Sequence, residues 1–400
     1  MSRVRCPLAK RPVLDWAAFG GPRRAGLPSL ADLPHRRMTT SGRAAIYQAL
    51  KLTSPPPGGA VLVPTYHCPT MIAPVVLLGL EPVFYPIDGN GLPALDRIAD
   101  HDARRASALL APHYFGITRS FALLRAWCDA TDTLLIEDCA HAFYGMAGER
   151  PVGAWGDYAI TSLTKFFPVL EGGLLASARH PLPPLALTPQ TMKAELKAAF
   201  DIAHIATAHG RLQGLGSLIE LLRGGRGHSR QKDGAQAAAP SSTTTAATTE
   251  GAAMHDSDMA RIDNAPLRST RWLATHLPQQ PAFAHRQRLF ARYADALADL
   301  SGAHPLHAAP PANTAPYAFP LWVDAADRVY HALRMAGAPV YRWDRRWPGT
   351  PDLPGDQGPL WSRHVLQLLC HQSLNQDETD WTLETIRAAL RNDHPLPGAD

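Results

Sequence analysis

The chain has very few lysines. Of its 39 basic residues only 6 are lysine and 33 are arginine, in a sequence of 400 residues. An arginine guanidinium keeps its proton in a protein, whereas a partly desolvated lysine amine can lose its proton and form a Schiff base with an aldehyde. Lys165 stands in the apolar-flanked run Ile160-Thr-Ser-Leu-Thr-Lys165-Phe-Phe-Pro. By itself this run fits a surface lysine at a strand end better than a reactive one, so Lys165 is a candidate only in combination with other signals.

Cysteine is also scarce, and long apolar runs are missing. The five cysteines stand at positions 6, 68, 128, 139 and 370, without paired or metal-site spacing, which is typical of a reducing compartment. No apolar run approaches the roughly 20 residues of a membrane-spanning helix, and the first residues have no secretory apolar core. None of the 18 histidines shows the pairing of a zinc site on one helix. We therefore expect a cytoplasmic protein without a membrane span or a metal site.

Neither sign of charge is in large excess. The formal net charge is +4, with 18% charged and 46% apolar residues, which is ordinary globular composition. A short basic cluster lies between Arg223 and Arg230, but it lacks interleaved aromatic residues and is more typical of a solvated linker. We expect no nucleic-acid partner.

A buried strand upstream of Lys165 ends in an acid pair. The segment Thr133-Leu-Leu-Ile-Glu-Asp138-Cys-Ala-His141 is apolar up to two acids and has a histidine three residues later. Ligands of open α/β sheets bind at the carboxyl ends of strands, and an aspartate there can keep the pyridine nitrogen of pyridoxal phosphate protonated. After the lysine, the run 170–176 reads as a glycine turn leading into another buried strand. Together these segments favour a pyridoxal phosphate site.

Strands and helices alternate along the first half of the chain. Apolar strand patterns at 60–63, 82–86, 108–112 and 133–137 are separated by helical patterns of about ten residues. This alternation predicts an α/β fold with a mostly parallel sheet flanked by helices.

Composition changes sharply after residue 223. Residues 224–256 are rich in Gly, Ala, Ser and Thr and have too little apolar surface to offset the entropy of ordering, so we predict disorder there. The chain then divides into a large α/β domain over 1–223, a low-complexity linker over 224–256, and a connecting helix with a small C-terminal α+β domain over 257–400.

The ordered set of segments resembles the DegT/StrS family of sugar aminotransferases, which are pyridoxal phosphate enzymes of fold type I. The resemblance runs from about residue 38 to residue 178 and rests on the order of the segments, because no single one is specific. The segments are Thr40–Leu50, Val61–Thr65, Glu81–Phe84, Pro112–Gly116, Ile136–His141, Gly156-Asp157, Ser162, Lys165 and Glu171–Gly173. The resemblance implies that the large domain binds the cofactor and has the fold type I architecture.

The resemblance also implies roles for single residues. Lys165 takes the position of the Schiff-base lysine and Asp138 that of the partner of the pyridinium nitrogen, which makes these two the catalytic candidates. His141 falls near the ring hydroxyl of the cofactor. Gly42 and Arg43 begin a helix whose backbone N–H groups would bind the phosphate.

The chain departs from the family pattern at several positions. Ser162 corresponds to the phosphate-binding serine, but the segment from it to Lys165 is two residues shorter than usual in the family. The family's stacking aromatic residue is Cys68 here, and we expect Tyr66 or His67 to stack on the cofactor instead. The family's Asn-Tyr-Arg-Met segment has no clear counterpart. Outside the cofactor site, the aromatic and basic run 341–347 is the best candidate for substrate contact.

The implied function is transamination of a keto sugar carried on a nucleotide, with an amino acid, in this family often glutamate, as the donor. The implied setting is polysaccharide or glycosylated metabolite biosynthesis, in a homodimer. Retention of Lys165 argues against the family's dehydratase branch, which has histidine there. Two other classes stay open: another fold type I enzyme, such as a desulfurase, a lyase or an amino-acid aminotransferase, and a cofactor-free relative that acts as a binding or assembly protein.

Overall fold

A computed structural model describes residues 4, 6–21, 26–216, 250–310 and 313–391. In chain order its strands are β1 (His35–Thr39), β2 (Ala60–Pro64), β3 (Glu81–Tyr85), β4 (Ala106–Pro112), β5 (Leu134–Asp138), β6 (Met146–Ala147), β7 (Arg150–Pro151), β8 (Tyr158–Ser162), β9 (Gly173–Ser177), β10 (Ala303–Pro305), β11 (Ala318–Val323), β12 (Val340–Tyr341) and β13 (Val365–Leu369). Its helices are α1 (Gly42–Thr53), α2 (Pro69–Leu77), α3 (Asp100–Arg105), α4 (Ala122–Thr131), α5 (Met192–Ala208), α6 (Glu250–Asp256), α7 (Arg268–His276), α8 (Gln280–Ala296), α9 (Ala326–Ala336), α10 (Gly358–His364) and α11 (Gln376–Arg391).

Seven strands form the sheet that positions the site. Their order is β1-β9-β8-β5-β4-β2-β3. The strands from β8 to β3 run parallel, whereas β9 is antiparallel to both β8 and β1. The predicted α/β class with a mostly parallel sheet is therefore confirmed. Because parallel strands end at one edge, the segments that follow β2, β4, β5 and β8 lie close together there.

Both faces of this sheet are covered by apolar packing. Alternate side chains point to opposite faces, so Leu62 and Leu109 belong to one apolar cluster while Val63 and Leu110 belong to another. Burial on both faces explains why these strands are apolar without a polar alternation. The sheet is thus a rigid base for side chains at its edge.

The second sheet belongs to the carboxyl-terminal half. Its four antiparallel strands have the order β10-β11-β13-β12, and α9 packs both on this sheet and against α11. The amino-terminal segment joins this part of the molecule: the N–H of Leu8 donates to the carbonyl of Gly337 (3.0 Å) and the N–H of Val13 donates to Ser373 Oγ (3.0 Å). The two sheets fit the predicted large and small domains, whose boundaries stay a prediction. No helix among the described residues is long and apolar enough to cross a membrane.

The predicted linker needs a correction at its end. Residues 250–256, predicted to be disordered with the rest of 224–256, form helix α6. Ala253 is buried and Met254 half-buried in the apolar cluster that includes α2 residues. The prediction missed this helix because it was based on the average composition of residues 224–256, which is poor in apolar residues, although the few at its end pack against α2. Residues 224–249 lie outside the described residues.

Candidate active site

A cavity of about 500 Å³ opens at the carboxyl ends of the parallel strands. Six of the eight residues predicted for the site line it: Gly42, Arg43, Asp138, His141, Ser162 and Lys165. Asp138 and Ser162 end strands β5 and β8, and Lys165 ends the 3₁₀ turn that follows β8. The edge of the sheet therefore brings together residues that the resemblance assigned to one cofactor.

The amine of Lys165 lies in a buried setting. Its Nζ is 5.0 Å from the ring centroid of Tyr317, which comes from the segment before β11. Burial lowers the pKa of Lys165 below its ordinary value, and the negative charge of Asp138 partly opposes this. The result is an amine that loses its proton more readily than a surface lysine.

Asp138 is a buried carboxylate with mixed electrostatic surroundings. Its Oδ1 accepts a 2.8 Å hydrogen bond from the N–H of Ala140. Burial raises the pKa of Asp138, while that hydrogen bond and the nearby Lys165 and His113 lower it. Burial is the largest of these effects, so the ionised carboxylate gains from an additional positive partner in the cavity.

The hydrogen bonds of His141 assign its tautomer. Its Nδ1 accepts from the backbone N–H of Phe115 at 3.2 Å, which leaves the proton of the neutral ring on Nε2. Burial lowers the pKa of His141 well below its usual value, and Lys165 adds to this effect. The ring stacks on Tyr317, with centroids 4.4 Å apart, and contacts Trp343 at 5.1 Å. His141 is therefore a neutral, oriented hydrogen-bond donor.

The amino end of α1 faces two hydroxyl groups across a narrow gap. Ser41 caps the helix by accepting from the N–H of Ala44 at 3.2 Å. A Cβ added at Gly42 would lie 3.5 Å from the Cβ of Ser162. The hydroxyls of Ser162 and Thr164 are 3.2 Å apart, and both residues line the cavity. Free N–H groups of a helix start together with hydroxyls form a site for a phosphate.

Two arginines border the same end of the cavity, each with an acid partner. Arg43 pairs with Asp258 at 3.3 Å, and Arg261 pairs with the buried Glu171. The sequence reasoning missed Thr164 and Arg261. Thr164 has a local signal, a second hydroxyl two residues after Ser162, whereas Arg261 is 90 residues from its partner and has none.

Tyr66 requires a correction, because it is outside the cavity wall. Its side chain is fully buried among Tyr114, Trp343 and Trp361, with ring centroids 5.2–5.5 Å away. Its hydroxyl accepts a 3.3 Å hydrogen bond from Gln367 Nε2. The ring therefore forms part of the support beneath the cavity and cannot stack on a ligand inside it.

His67 is also turned away from the cavity. Its Nδ1 hydrogen-bonds to the carbonyl of Pro64 (2.8 Å), and its Nε2 accepts from the N–H of Trp347 (2.8 Å). These contacts use both ring nitrogens of a ring that is fully buried, and burial lowers its pKa to about 4. The prediction that Tyr66 or His67 stacks on the cofactor is therefore wrong, and Cys68 is the residue of this segment that lines the cavity.

Aromatic side chains reach the cavity from the carboxyl-terminal half instead. Tyr317, Tyr341 and Trp343 line it. The arginines of the run 341–347 are held by acids outside the lining, in the pairs Arg342–Asp327, Arg345–Asp256 (3.2 Å) and Arg346–Asp352 (2.7 Å). In the run 341–347, which was predicted to contact the substrate, two of the three aromatic residues, Tyr341 and Trp343, line the cavity. Trp347 and the arginines do not line it.

Among the described residues, one group of three side chains is of the kind that can bind a metal ion: His113, Glu137 and Cys139. His113 Nε2 lies 2.9 Å from Glu137 Oε1. The Glu137 carboxylate also accepts three backbone N–H groups, from Gly153 (2.7 Å), Trp155 (2.9 Å) and Gly156 (3.1 Å). These hydrogen bonds occupy the carboxylate oxygens, so the group is a network that ties β5 to the loop at 153–156.

Comparison with known sequences gives a match over the large sheet. Residues 30–182 match the model of the DegT/DnrJ/EryC1/StrS aminotransferase family. GDP-perosamine synthase of Vibrio cholerae is 29% identical over 146 residues, covering 36% of this chain and 40% of the relative. Lipopolysaccharide biosynthesis protein RfbH of Salmonella typhimurium is 30% identical over 154 residues, covering 36% of this chain and 34% of the relative. The chain spans less than half the length of the curated relatives it matches.

Solved structures are similar over nearly the whole chain. A DegT DnrJ EryC1 StrS aminotransferase from Brucella abortus superposes with a TM-score of 0.56 at 17% identity, covering 92% of this chain and 87% of the other. DesV of S. venezuelae superposes with a TM-score of 0.58 at 21% identity, covering 91% and 87%. The shared fold therefore includes the carboxyl-terminal half, beyond the region of sequence similarity.

Proposed function

We propose that the protein is a pyridoxal phosphate-dependent aminotransferase, and the match of residues 30–182 to the DegT/DnrJ/EryC1/StrS aminotransferase family supports this proposal. Its acceptor would be a keto sugar carried on a nucleotide, and its donor an amino acid such as glutamate. The names of similar proteins support this substrate class: one is a GDP-perosamine synthase and another a UDP-N-acetyl-3-dehydro-alpha-D-glucosamine 3-aminotransferase. The observation that carries the proposal is the convergence of Lys165, Asp138 and His141 in one cavity at the sheet edge.

The residues of the cavity fit pyridoxal phosphate. The amino end of α1, with the hydroxyls of Ser162 and Thr164, would hold the phosphate. Asp138 would hold the ring nitrogen, and the Nε2–H of His141 would donate to the ring hydroxyl. When bound, the cofactor supplies an electron-accepting ring that delocalises the charge left on a substrate carbon after deprotonation.

Asp138 and Lys165 would have complementary tasks. The buried Asp138 carboxylate gains a positive partner when the ring nitrogen is protonated, which stabilises both groups. Burial makes the neutral form of the Lys165 amine accessible, so Lys165 would hold the cofactor through its Nζ and could move a proton at that atom during turnover. Neutral His141 can orient the ring without adding a second cation beside Lys165.

We also propose that the protein acts as a homodimer. Helix α5 exposes Met192, Leu196 and Phe200, which follow one another at intervals of four residues and so lie on one face. An apolar helix face of this kind in a soluble enzyme is typical of a subunit interface, and closed two-fold pairs are the commonest arrangement.

The test of the proposed function is the visible spectrum of the purified protein with pyridoxal phosphate. We expect a near-violet band, and borohydride should fix the cofactor on the peptide that contains Lys165. Lys165→Ala should abolish the covalent product, while the control Lys51→Ala, at an exposed lysine, should leave it unchanged. A wild-type protein that stays colourless and unlabelled contradicts the proposal and favours the cofactor-free class.

A further inference from the structure

Five basic side chains line the cavity, and two of them form ion pairs with acids: Arg43 with Asp258 and Arg261 with Glu171. A third, Lys165, shares the cavity wall with Asp138, whose negative charge raises the pKa of the lysine. The other two are Lys10 and Arg11 of the amino-terminal segment. Within the described ranges, no carboxylate lies within 4.0 Å of either. The cavity therefore has two positive charges that its own acids leave unbalanced.

The backbone around these two residues is fixed at several points. The N–H of Leu8 donates to the carbonyl of Gly337, and His371 Nε2 donates to the carbonyl of Ala9 at 2.8 Å. On the other side, the N–H of Val13 donates to Ser373 Oγ. Lys10 and Arg11 thus lie between anchored neighbours, and little backbone entropy would be lost when they bind a ligand.

Arg11 contacts the glycine turn before β9 and the aromatic strand β12. Arg11 Nη1 donates a long hydrogen bond of 3.4 Å to the carbonyl of Leu170, and the nearby Tyr341 raises the pKa of Arg11, against the larger lowering by burial. Burial lowers the pKa of Lys10 and of Arg11, which reflects the cost of holding a cation away from water without a counter-charge. A bound anion would remove that cost.

We propose that Lys10 and Arg11 bind an anionic group of the substrate at a subsite separate from the cofactor phosphate. This inference rests on the proposed function, under which two substrate anions have the required chemistry: the diphosphate of the sugar nucleotide and the carboxylate of the amino-acid donor. A guanidinium beside an ammonium suits either, because the guanidinium binds oxygen pairs through parallel N–H groups and the ammonium acts as a point charge.

The first test measures binding of nucleoside diphosphates, UDP and dTDP, by calorimetry without pyridoxal phosphate. The double variant Lys10→Gln/Arg11→Gln keeps most of both aliphatic stems but removes the charges. We expect its affinity to fall about tenfold or more, since charge-assisted contacts to phosphate are lost. The matched control Arg36→Gln/Lys51→Gln removes two exposed charges outside the cavity and should bind like the wild type.

A second arm uses glutamate as the probe. The rate at which glutamate changes the visible band of the cofactor-loaded protein is measured against glutamate concentration. If the double variant weakens only the glutamate dependence, the anion is the donor carboxylate; if it weakens only diphosphate binding, the anion is the diphosphate. Unchanged binding of both probes, in a double variant that melts like the wild type, overturns the inference.

Two further comparisons test whether the two charges act on the substrate anion. The variant Lys10→Arg/Arg11→Lys keeps both charges and should retain binding; equal loss in this variant and in the glutamine variant, with the fold intact, overturns a role for charge. Loss of the cofactor band in the folded glutamine variant would mean that these cations hold the cofactor, which also overturns the inference. If the wild type binds no pyridoxal phosphate but its diphosphate binding needs Lys10 and Arg11, the subsite stands and the proposed function fails.

Discussion

Arg286 donates a 2.6 Å hydrogen bond from Nη2 to the backbone carbonyl of Lys165. The guanidinium is fully buried, and it also donates to the carbonyl of Pro316 (3.2 Å) and to Oε1 of Gln372 (2.9 Å). Its carbon Cζ lies 4.8 Å from the ring centroid of Phe166. Burial lowers its pKa to about 10. The buried guanidinium of Arg286 on α8 thereby connects the turn that contains Lys165 with two other segments, the one before β11 and the one before α11.

Replacing Arg286 by methionine should destabilise the protein. The change leaves several buried carbonyl oxygens without donors, and each costs about 1–3 kcal/mol, so we expect the free energy of unfolding to fall by roughly 2–5 kcal/mol. Arg288→Met, at an exposed residue of the same helix, should change it by less than about 1 kcal/mol. Chemical denaturation of both variants measures the difference, and similar values for the two would contradict the anchoring role of Arg286.

The part of the site near the sheet edge was predictable, because it follows from local sequence. Asp138 and Ser162 end two neighbouring parallel strands and Lys165 ends the turn after the second, and such ends meet wherever the sheet forms. The alternation of apolar strands and helices predicted that sheet, which the structure confirms, and residues 30–182, which match the DegT/DnrJ/EryC1/StrS family model, lie in the region of the predicted resemblance.

The remainder of the site depends on facts that local sequence does not contain. Tyr317, Trp343 and Arg261 enter the cavity only because the carboxyl-terminal half packs against the sheet edge. The error at Tyr66 and His67 has a different cause. The segment that follows β2 was placed correctly, but a shift of one or two positions decides which of its side chains faces the cavity. Packing of Tyr66 against Trp361 and the hydrogen bond between His67 and Trp347 turn these two side chains away from the cavity.

Asp138→Asn should separate catalysis from folding. An asparagine can keep the acceptor for the N–H of Ala140, so we expect the melting temperature to change little. It cannot stabilise a protonated ring nitrogen, and turnover should fall by about a hundredfold or more. Steady-state kinetics with a keto-sugar nucleotide and glutamate measure this loss, and undiminished turnover would show that Asp138 has another role.

The buried amine of Lys165 predicts a pH-dependent effect on stability in the cofactor-free protein. Because its folded pKa is below the unfolded value of about 10.4, protonated lysine is disfavoured in the folded state, and this penalty disappears as the pH rises through the unfolded value. Lys165→Met should therefore stabilise the protein near pH 7, and the gain should shrink at pH 9.5. Denaturation at both pH values tests this, with Lys51→Met as the control. A gain that is equal at both pH values would reflect packing instead of titration.

The hydroxyls of Ser162 and Thr164 should act together in phosphate binding. Ser162→Ala/Thr164→Val removes both groups from the wall that faces the amino end of α1 and should raise the dissociation constant for pyridoxal phosphate about tenfold. Fluorescence titration measures this constant. Inorganic phosphate should compete for the same site in the wild type, and its competition should weaken in the variant. If the double variant binds both ligands normally while Arg43→Gln does not, the phosphate contacts lie with the arginine.

The apolar face of α5 makes the proposed dimer testable. Leu196 is 66% exposed between Met192 and Phe200, so Leu196→Glu places a charge in the centre of the face. If this face joins two copies, burial of an unpaired carboxylate should shift the protein from dimer to monomer at micromolar concentration. Leu123→Glu is the matched control, because Leu123 is 82% exposed on α4. Sedimentation velocity of the three proteins gives the answer: a wild-type monomer contradicts the dimer, and a dimer that survives Leu196→Glu means that the two copies meet through another surface.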